Sequence, residues 1–173
     1  FDAVSYSANS AFGSGTDLGG GTYVVYNGNG NSVTVTNLLS NTAYTFAVFE
    51  YNGSVACQNN YLTTSFLSGT QTTLNNAPTI NTISNPSAIC ESAGLQTINL
   101  SGIGTGAGNE VQTLIISAVS NNTSLIPNPT VIYTSPNATG SLSSTPVVGA
   151  SGTAVITVTV NDGATNNNTT IKT

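Results

Sequence analysis

Thr153-Ala154-Val155-Ile156-Thr157-Val158-Thr159-Val160 decides the fold class. Ala154, Ile156, Val158 and Val160 fall on one side of an extended chain. Val155, Thr157 and Thr159 fall on the other, which is the two-residue period of a strand with one buried face. Asn161-Asp162-Gly163 follows as a turn, and Thr169–Thr173 is expected to begin a last strand that is left unfinished.

Working back from that strand, the same pattern recurs at Ser141–Val147, Val131–Thr134, Val111–Val119, Leu95–Leu100 and Thr79–Ser84. It stops at Asn75-Asn76-Ala77-Pro78. Pro78 holds its predecessor extended and cannot donate to a ladder, so this stretch is expected to be a short linker. Before it, Tyr23–Tyr26, the turn Asn27-Gly28-Asn29-Gly30 and Val33-Thr34-Val35 read as a hairpin. Thr42–Tyr51 reads as a longer strand with Tyr44, Phe46 and Val48 on one face, broken at Asn52-Gly53, and Tyr61–Thr73 as another strand. No segment carries helical periodicity. The expected fold is therefore all-β, two antiparallel sandwiches in tandem: residues 1–74, a linker at 75–78, and residues 79–173.

Composition narrows the function. Only 7 of 173 residues are charged, six of them acids, with one lysine (Lys172), no arginine and no histidine. Ordinary domains carry about a quarter charged residues. The proton-handling side chains of most enzymes are therefore missing. A net charge of −5 with one basic residue excludes a phosphate-binding footprint and an anionic membrane surface. The longest mainly apolar stretch, around Leu114–Val119, is far short of the about 20 residues that span a bilayer. No basic leader or signal-type apolar run opens the chain, which is expected to be a piece of something longer.

Leu38, six residues before Tyr44, with Phe46 and Val48 beyond it, resembles the tyrosine corner and core strand of a fibronectin type III domain. The resemblance implies that the Tyr44 hydroxyl bonds back to backbone near Leu38–Asn41. Tyr6-Ser7-Ala8-Asn9 with Phe12-Gly13, Tyr23-Val24-Val25-Tyr26-Asn27-Gly28, and Phe49-Glu50-Tyr51-Asn52-Gly53 with Asn60-Tyr61-Leu62-Thr63-Thr64 are similar to fibronectin type III repeats of large secreted proteins from Bacteroidota. That likeness covers most of residues 1–74 and implies that the first strands of the domain are absent. Residues 77–173 resemble an immunoglobulin-like or cadherin-like repeat of the same proteins. The motifs are Ala93-Gly94-Leu95-Gln96-Thr97-Ile98-Asn99-Leu100, Ser124-Leu125-Ile126-Pro127-Asn128-Pro129-Thr130-Val131 and Ile156-Thr157-Val158-Thr159-Val160-Asn161-Asp162-Gly163. Such proteins sit on the bacterial surface or outside the cell, often through type IX secretion, and some act in gliding and adhesion.

The resemblance also bears on the sites. Glu91, Glu110 and Asp162 are the only acids of the second domain. A sandwich of that kind puts Glu110 and Asp162 at the end facing the preceding domain and Glu91 at the opposite end. Cadherin-like arrays split calcium ligands between repeats in this way, and calcium takes about 6–8 oxygens. Relatives read Glu-Asp-Ala-Gly where this chain has Glu91-Ser92-Ala93-Gly94, one carboxylate fewer, so the alternatives are a calcium site and solvated loop acids. Cys57 and Cys90 fall in different domains, and a bond between them needs Cα atoms within about 7 Å. The expectation is that each pairs with a cysteine outside these residues, or Cys57 with one in the missing strands; a direct Cys57–Cys90 bond is the other reading. A catalytic thiol is not expected, because no histidine or neighbouring cation lowers a thiol pKa here. Tyr51 and Tyr61 are the candidates for stacking on a sugar, against the reading that they are packing residues. Asn-x-Ser/Thr sequons at Asn52, Asn99, Asn121, Asn137 and Asn168 decide little in so Asn- and Thr-rich a chain.

The function these readings imply is a non-catalytic stalk or spacer in a multi-repeat cell-surface adhesin, with neighbouring repeats as its partners. No cofactor besides calcium is called for. Strand edges without charged guards suggest lateral self-association into a filament. The alternative is an accessory region of a secreted hydrolase that spaces a catalytic domain or binds polysaccharide.

Overall fold

The structure, a computed structural model, describes residues 3–53 and 59–173. Among these residues there is no helix, and every strand pairs antiparallel. The chain divides into two compact units, the first ending at Thr73 and the second starting at Leu74.

The first unit holds β1 (Asp17–Gly19), β2 (Thr22–Tyr23), β3 (Ala43–Val48), β4 (Tyr51–Asn52), β5 (Asn60–Tyr61) and β6 (Leu67–Thr72). They pair as β1–β2, β3–β6 and β4–β5. The hairpin expected from Tyr23–Tyr26 and Val33-Thr34-Val35 does not form. The backbone of Val24 is already used: its N–H donates to the Thr16 carbonyl at 3.0 Å and its carbonyl accepts from the Asn9 N–H at 3.1 Å. That stretch therefore pairs with the chain before it, while the Tyr26 hydroxyl accepts from the Gly30 N–H across the turn. The long strand expected at Thr42–Tyr51 is split into β3 and β4, and the one at Tyr61–Thr73 into β5 and β6.

Tyr44 makes the bond expected of it: its hydroxyl accepts from the Leu39 N–H at 2.9 Å, with Leu38 half-buried. On the same face Phe12 meets Tyr44 and Tyr23 edge-on, with ring centroids 5.1 Å apart in both pairs. Beyond this closed end the face opens. Phe46, Val48 and its partner Leu67 are 49%, 54% and 69% exposed. Phe46 lies across Gly69 of the opposite strand, where an added Cβ would come within 2.6 Å of its ring. Among the described residues of this unit no apolar side chain is buried; Asn59 is, through bonds to Val4, Ser5 and Tyr61.

The second unit holds β7 (Gln96–Ser101), β8 (Ile115–Ser120), β9 (Thr130–Ile132), β10 (Thr139–Ser144), β11 (Ile156–Asn161) and β12 (Thr169–Lys172). They form two three-stranded sheets, ordered β7-β10-β9 and β12-β11-β8. Both sheets send alternate side chains into one core: Leu100 and Leu142 from the first, Ile116, Ala118, Val158 and Val160 from the second. Ile80, Ile103 and Leu114 from the flanking chain complete it. Each such Leu, Ile or Val stabilises the fold by about 1.5–3 kcal/mol, so this shared core dominates the unit's stability. Val158 and Val160 point inward as the period of residues 153–160 requires, opposite Ala118 and Ile116. Lys172 sits half-buried on β12, paired with Val158.

One expectation for this unit changes. Thr79–Ser84 is not a regular strand. Its ladder is reduced to a Thr79–Gly104 bridge and one Asn81–Ser101 bond, because Gly102 between them has a φ of 66° and leaves extended geometry. At the β8 end of the β12-β11-β8 sheet no charged side chain guards the edge, and neutral ones occupy two amides at and just before the strand. The Leu114 N–H donates to Ser135 Oγ at 3.0 Å and the Ser120 N–H to Asn128 Oδ1 at 2.9 Å, so neutral side chains cap amides that a neighbouring strand would otherwise take.

Candidate functional site

The residues expected to form the linker are instead part of the second unit, and they build its densest polar cluster. Asn75 is 2% exposed, Asp162 3% and Glu110 7%. The Asn75 side-chain nitrogen donates to Asp162 Oδ2 at 2.9 Å, to the Asn76 carbonyl at 2.7 Å and to the Asn167 carbonyl at 3.3 Å. Its side-chain oxygen accepts from Gln112 Nε2 at 2.7 Å. Its backbone is held as well, the N–H by Asn166 Oδ1 at 3.1 Å and the carbonyl by Asn167 Nδ2 at 2.9 Å. The Asn76 N–H donates to Glu110 Oε1 at 3.0 Å.

The local sequence explains how the acids arrive there. Asp162 follows β11 in the Asn161-Asp162-Gly163 turn, where the Gly163 N–H donates to Asn161 Oδ1 at 2.6 Å and the Ala164 N–H to Asp162 Oδ1 at 3.0 Å. The Asp162 N–H donates to the Asn168 carbonyl, which folds the Asn166–Asn168 stretch back over Asn75. Glu110 lies in the loop before β8, its N–H on the Ala107 carbonyl and its own carbonyl accepting from the Thr105 hydroxyl.

Burying a carboxylate costs several kcal/mol unless it is paired or fully hydrogen-bonded. Here the partners are neutral amides. Two side-chain oxygens in the cluster are buried without a partner, Glu110 Oε2 and Gln112 Oε1. The reading of Glu110 and Asp162 as solvated loop acids is therefore corrected, since both are buried. Glu91 stays apart, exposed in the turn closed by the Ala93 N–H on the Cys90 carbonyl. Among the described residues no three of His, Cys, Asp and Glu come together in a metal-sized group. The side-chain oxygens of the cluster left open to a cation are Glu110 Oε2 and Gln112 Oε1.

The remaining candidates stand elsewhere. Tyr51 and Tyr61 stack with centroids 5.3 Å apart, and Tyr6 lies 5.6 Å beyond Tyr61. The Tyr51 hydroxyl donates to Asn27 Oδ1 at 2.6 Å and the Tyr61 hydroxyl to the Val4 carbonyl at 3.0 Å, so both are tied into the fold. Cys90 is exposed and unbridged among the described residues, and Cys57 lies outside them. Sequence reasoning missed Asn75, Gln112, Asn166 and Asn167. Neutral amides carry no signal in so Asn-rich a chain, although the pairing of Asn75-Asn76 with a following proline was a usable hint. Compared with protein-family models, curated proteins and solved structures, the chain matches none.

Proposed function

We propose that the chain is a non-catalytic strut, a fibronectin type III-like unit followed by an immunoglobulin-like or cadherin-like unit, within a multi-repeat protein on a bacterial surface. The observation that carries this reading is the shortness of the free chain between the units. The Thr73 N–H donates to the Thr42 carbonyl and its hydroxyl to the Leu39 carbonyl, while the Asn75 N–H is held by Asn166. Only Leu74 lies between residues anchored on either side, and a one-residue tether restricts bending far more than a flexible linker. The Tyr44–Leu39 bond supports the fibronectin-like assignment. The absence of a catalytic role is supported by the state of the two carboxylates that do converge, both buried and bonded to amides.

This reading needs no cofactor; if calcium binds, Asp162, Glu110 and Gln112 at the Asn75 cluster are the residues that would hold it. NMR relaxation tests the strut: one rotational correlation time for both units is expected, and two shorter, independent times would sink it. Antibody labelling of intact source cells tests the surface location, with signal only after permeabilisation as the contrary result. Calorimetry tests the ion. Calcium at about 100 times its dissociation constant should stabilise the second unit by about 2.7 kcal/mol over chelator. An unchanged midpoint would mean that the amides alone neutralise the cluster.

A further inference from the structure

The outer face of the β7-β10-β9 sheet carries an open, shallow surface groove. Register fixes what lines it. Asn99, Ser141 and Ile132 form one row across the three strands, and Ser101 pairs with Thr139 in the next. Rows on a strand lie about 6.8 Å apart and strands about 4.8 Å, a grid on the scale of one sugar ring. Ile98, Leu100 and Leu142 point the other way, into the core, and Tyr133, which also lines the groove, packs against that core, so only the outward rows of Asn99, Ser141 and Ile132 and of Ser101 and Thr139 are free of packing duty.

Two properties of this face bear on what it could hold. Some asparagine side chains of the unit are tied to the fold, as Asn81 is to Ser101, Asn121 to the Val155 N–H and Asn128 to the Ser120 N–H, and others, Asn85 and Asn168 among them, are not. Among the described residues, the side chains of Asn99, Asn137, Thr139 and Ser141, all facing the groove, take no protein partner. The second property is the lack of charge, which this face shares with most of the chain. No ionisable carboxylate, ammonium or guanidinium lines the groove. A charged ligand would leave its hydration without compensation, whereas a neutral polyol would not. Hydroxyls and amides both donate and accept, and so do the hydroxyls of a sugar. Ile132, 61% exposed within the row, offers apolar surface for the C–H face of a pyranose.

We propose that this groove binds a neutral oligosaccharide, with Asn99, Asn137, Thr139 and Ser141 hydrogen-bonding its hydroxyls and Ile132 packing against a ring face. The proposal does not depend on the strut reading, since a mobile junction would leave this face intact. The test is an amide NMR titration of the whole chain with neutral hexasaccharides of glucose, mannose and xylose, with a sulfated hexasaccharide as control. Saturable shifts at Ser101, Ile132, Gly140 and Ser141 with at least one neutral sugar, and none with the sulfated one, are expected. The Asn99→Ala/Asn137→Ala variant should bind about tenfold more weakly, as two lost hydrogen bonds of about 0.5–1.5 kcal/mol each imply. Its spectrum should keep native dispersion, and Ile132→Ser gives a second variant with the polar groups untouched. No shift with any of the three sugars, shifts centred on Tyr51 and Tyr61, equal response to the sulfated sugar, or unchanged affinity in both variants would overturn it.

Discussion

The two units are built from different apolar residues: all five phenylalanines and six of the seven tyrosines fall in the first, every isoleucine in the second. The second closes two sheets on nine buried apolar residues, whereas the first, among its described residues, buries no apolar side chain at all. The first is instead held by ring contacts at its Phe12–Tyr23–Tyr44 end, by the corner bond to Leu39 and by the amide of Asn59. A strand face of Tyr44, Phe46 and Val48 is as apolar as one of Ile156, Val158 and Val160. What separates them is whether a second layer lies over the face. Alternation in a strand therefore announces a face that is fit to be buried, not one that is.

The largest test of this contrast is truncation inside each face. Leu100→Ala should destabilise the second unit by about 2–5 kcal/mol, while Phe46→Ala, with half its ring already in water, should cost the first unit about half as much or less. Denaturant unfolding separates the two, because six of the seven tyrosines (all but Tyr133) report on the first unit. Equal costs would mean that the Phe46 face is covered in solution. Next comes Asn75→Ala, which strips Asp162 of an amide donor and should cost the second unit about 2–3 kcal/mol, with no change in the tyrosine-reported transition. A matching loss in both transitions would show the units unfolding together. The smallest effect is Tyr44→Phe. It removes one hydrogen bond and should cost about 1 kcal/mol in the first unit alone, read from the shift of the same transition.

Much of the fold could be read from residues 153–160 and their kin, because a two-residue period is a geometric signal that needs no neighbour to interpret it. Strand ends could not, since they are set by where backbone groups find partners. Val24 spends its bonds on Asn9 and Thr16, and Gly102 turns out of the ladder, both invisible in a list of side chains. The site was half legible. Glu110 and Asp162 stood out as rare charges and do converge, but their burial depends on Asn75, Gln112 and Asn167, which look like any other surface amide in this chain.

The single lysine has one further consequence. Lys172 is the only position in these 173 residues at which a trypsin-type protease can cut, and there the backbone is held in a ladder opposite Val158. Digestive enzymes specific for basic residues would thus find one strand-bound target across both units, whatever the thermodynamic stability of either.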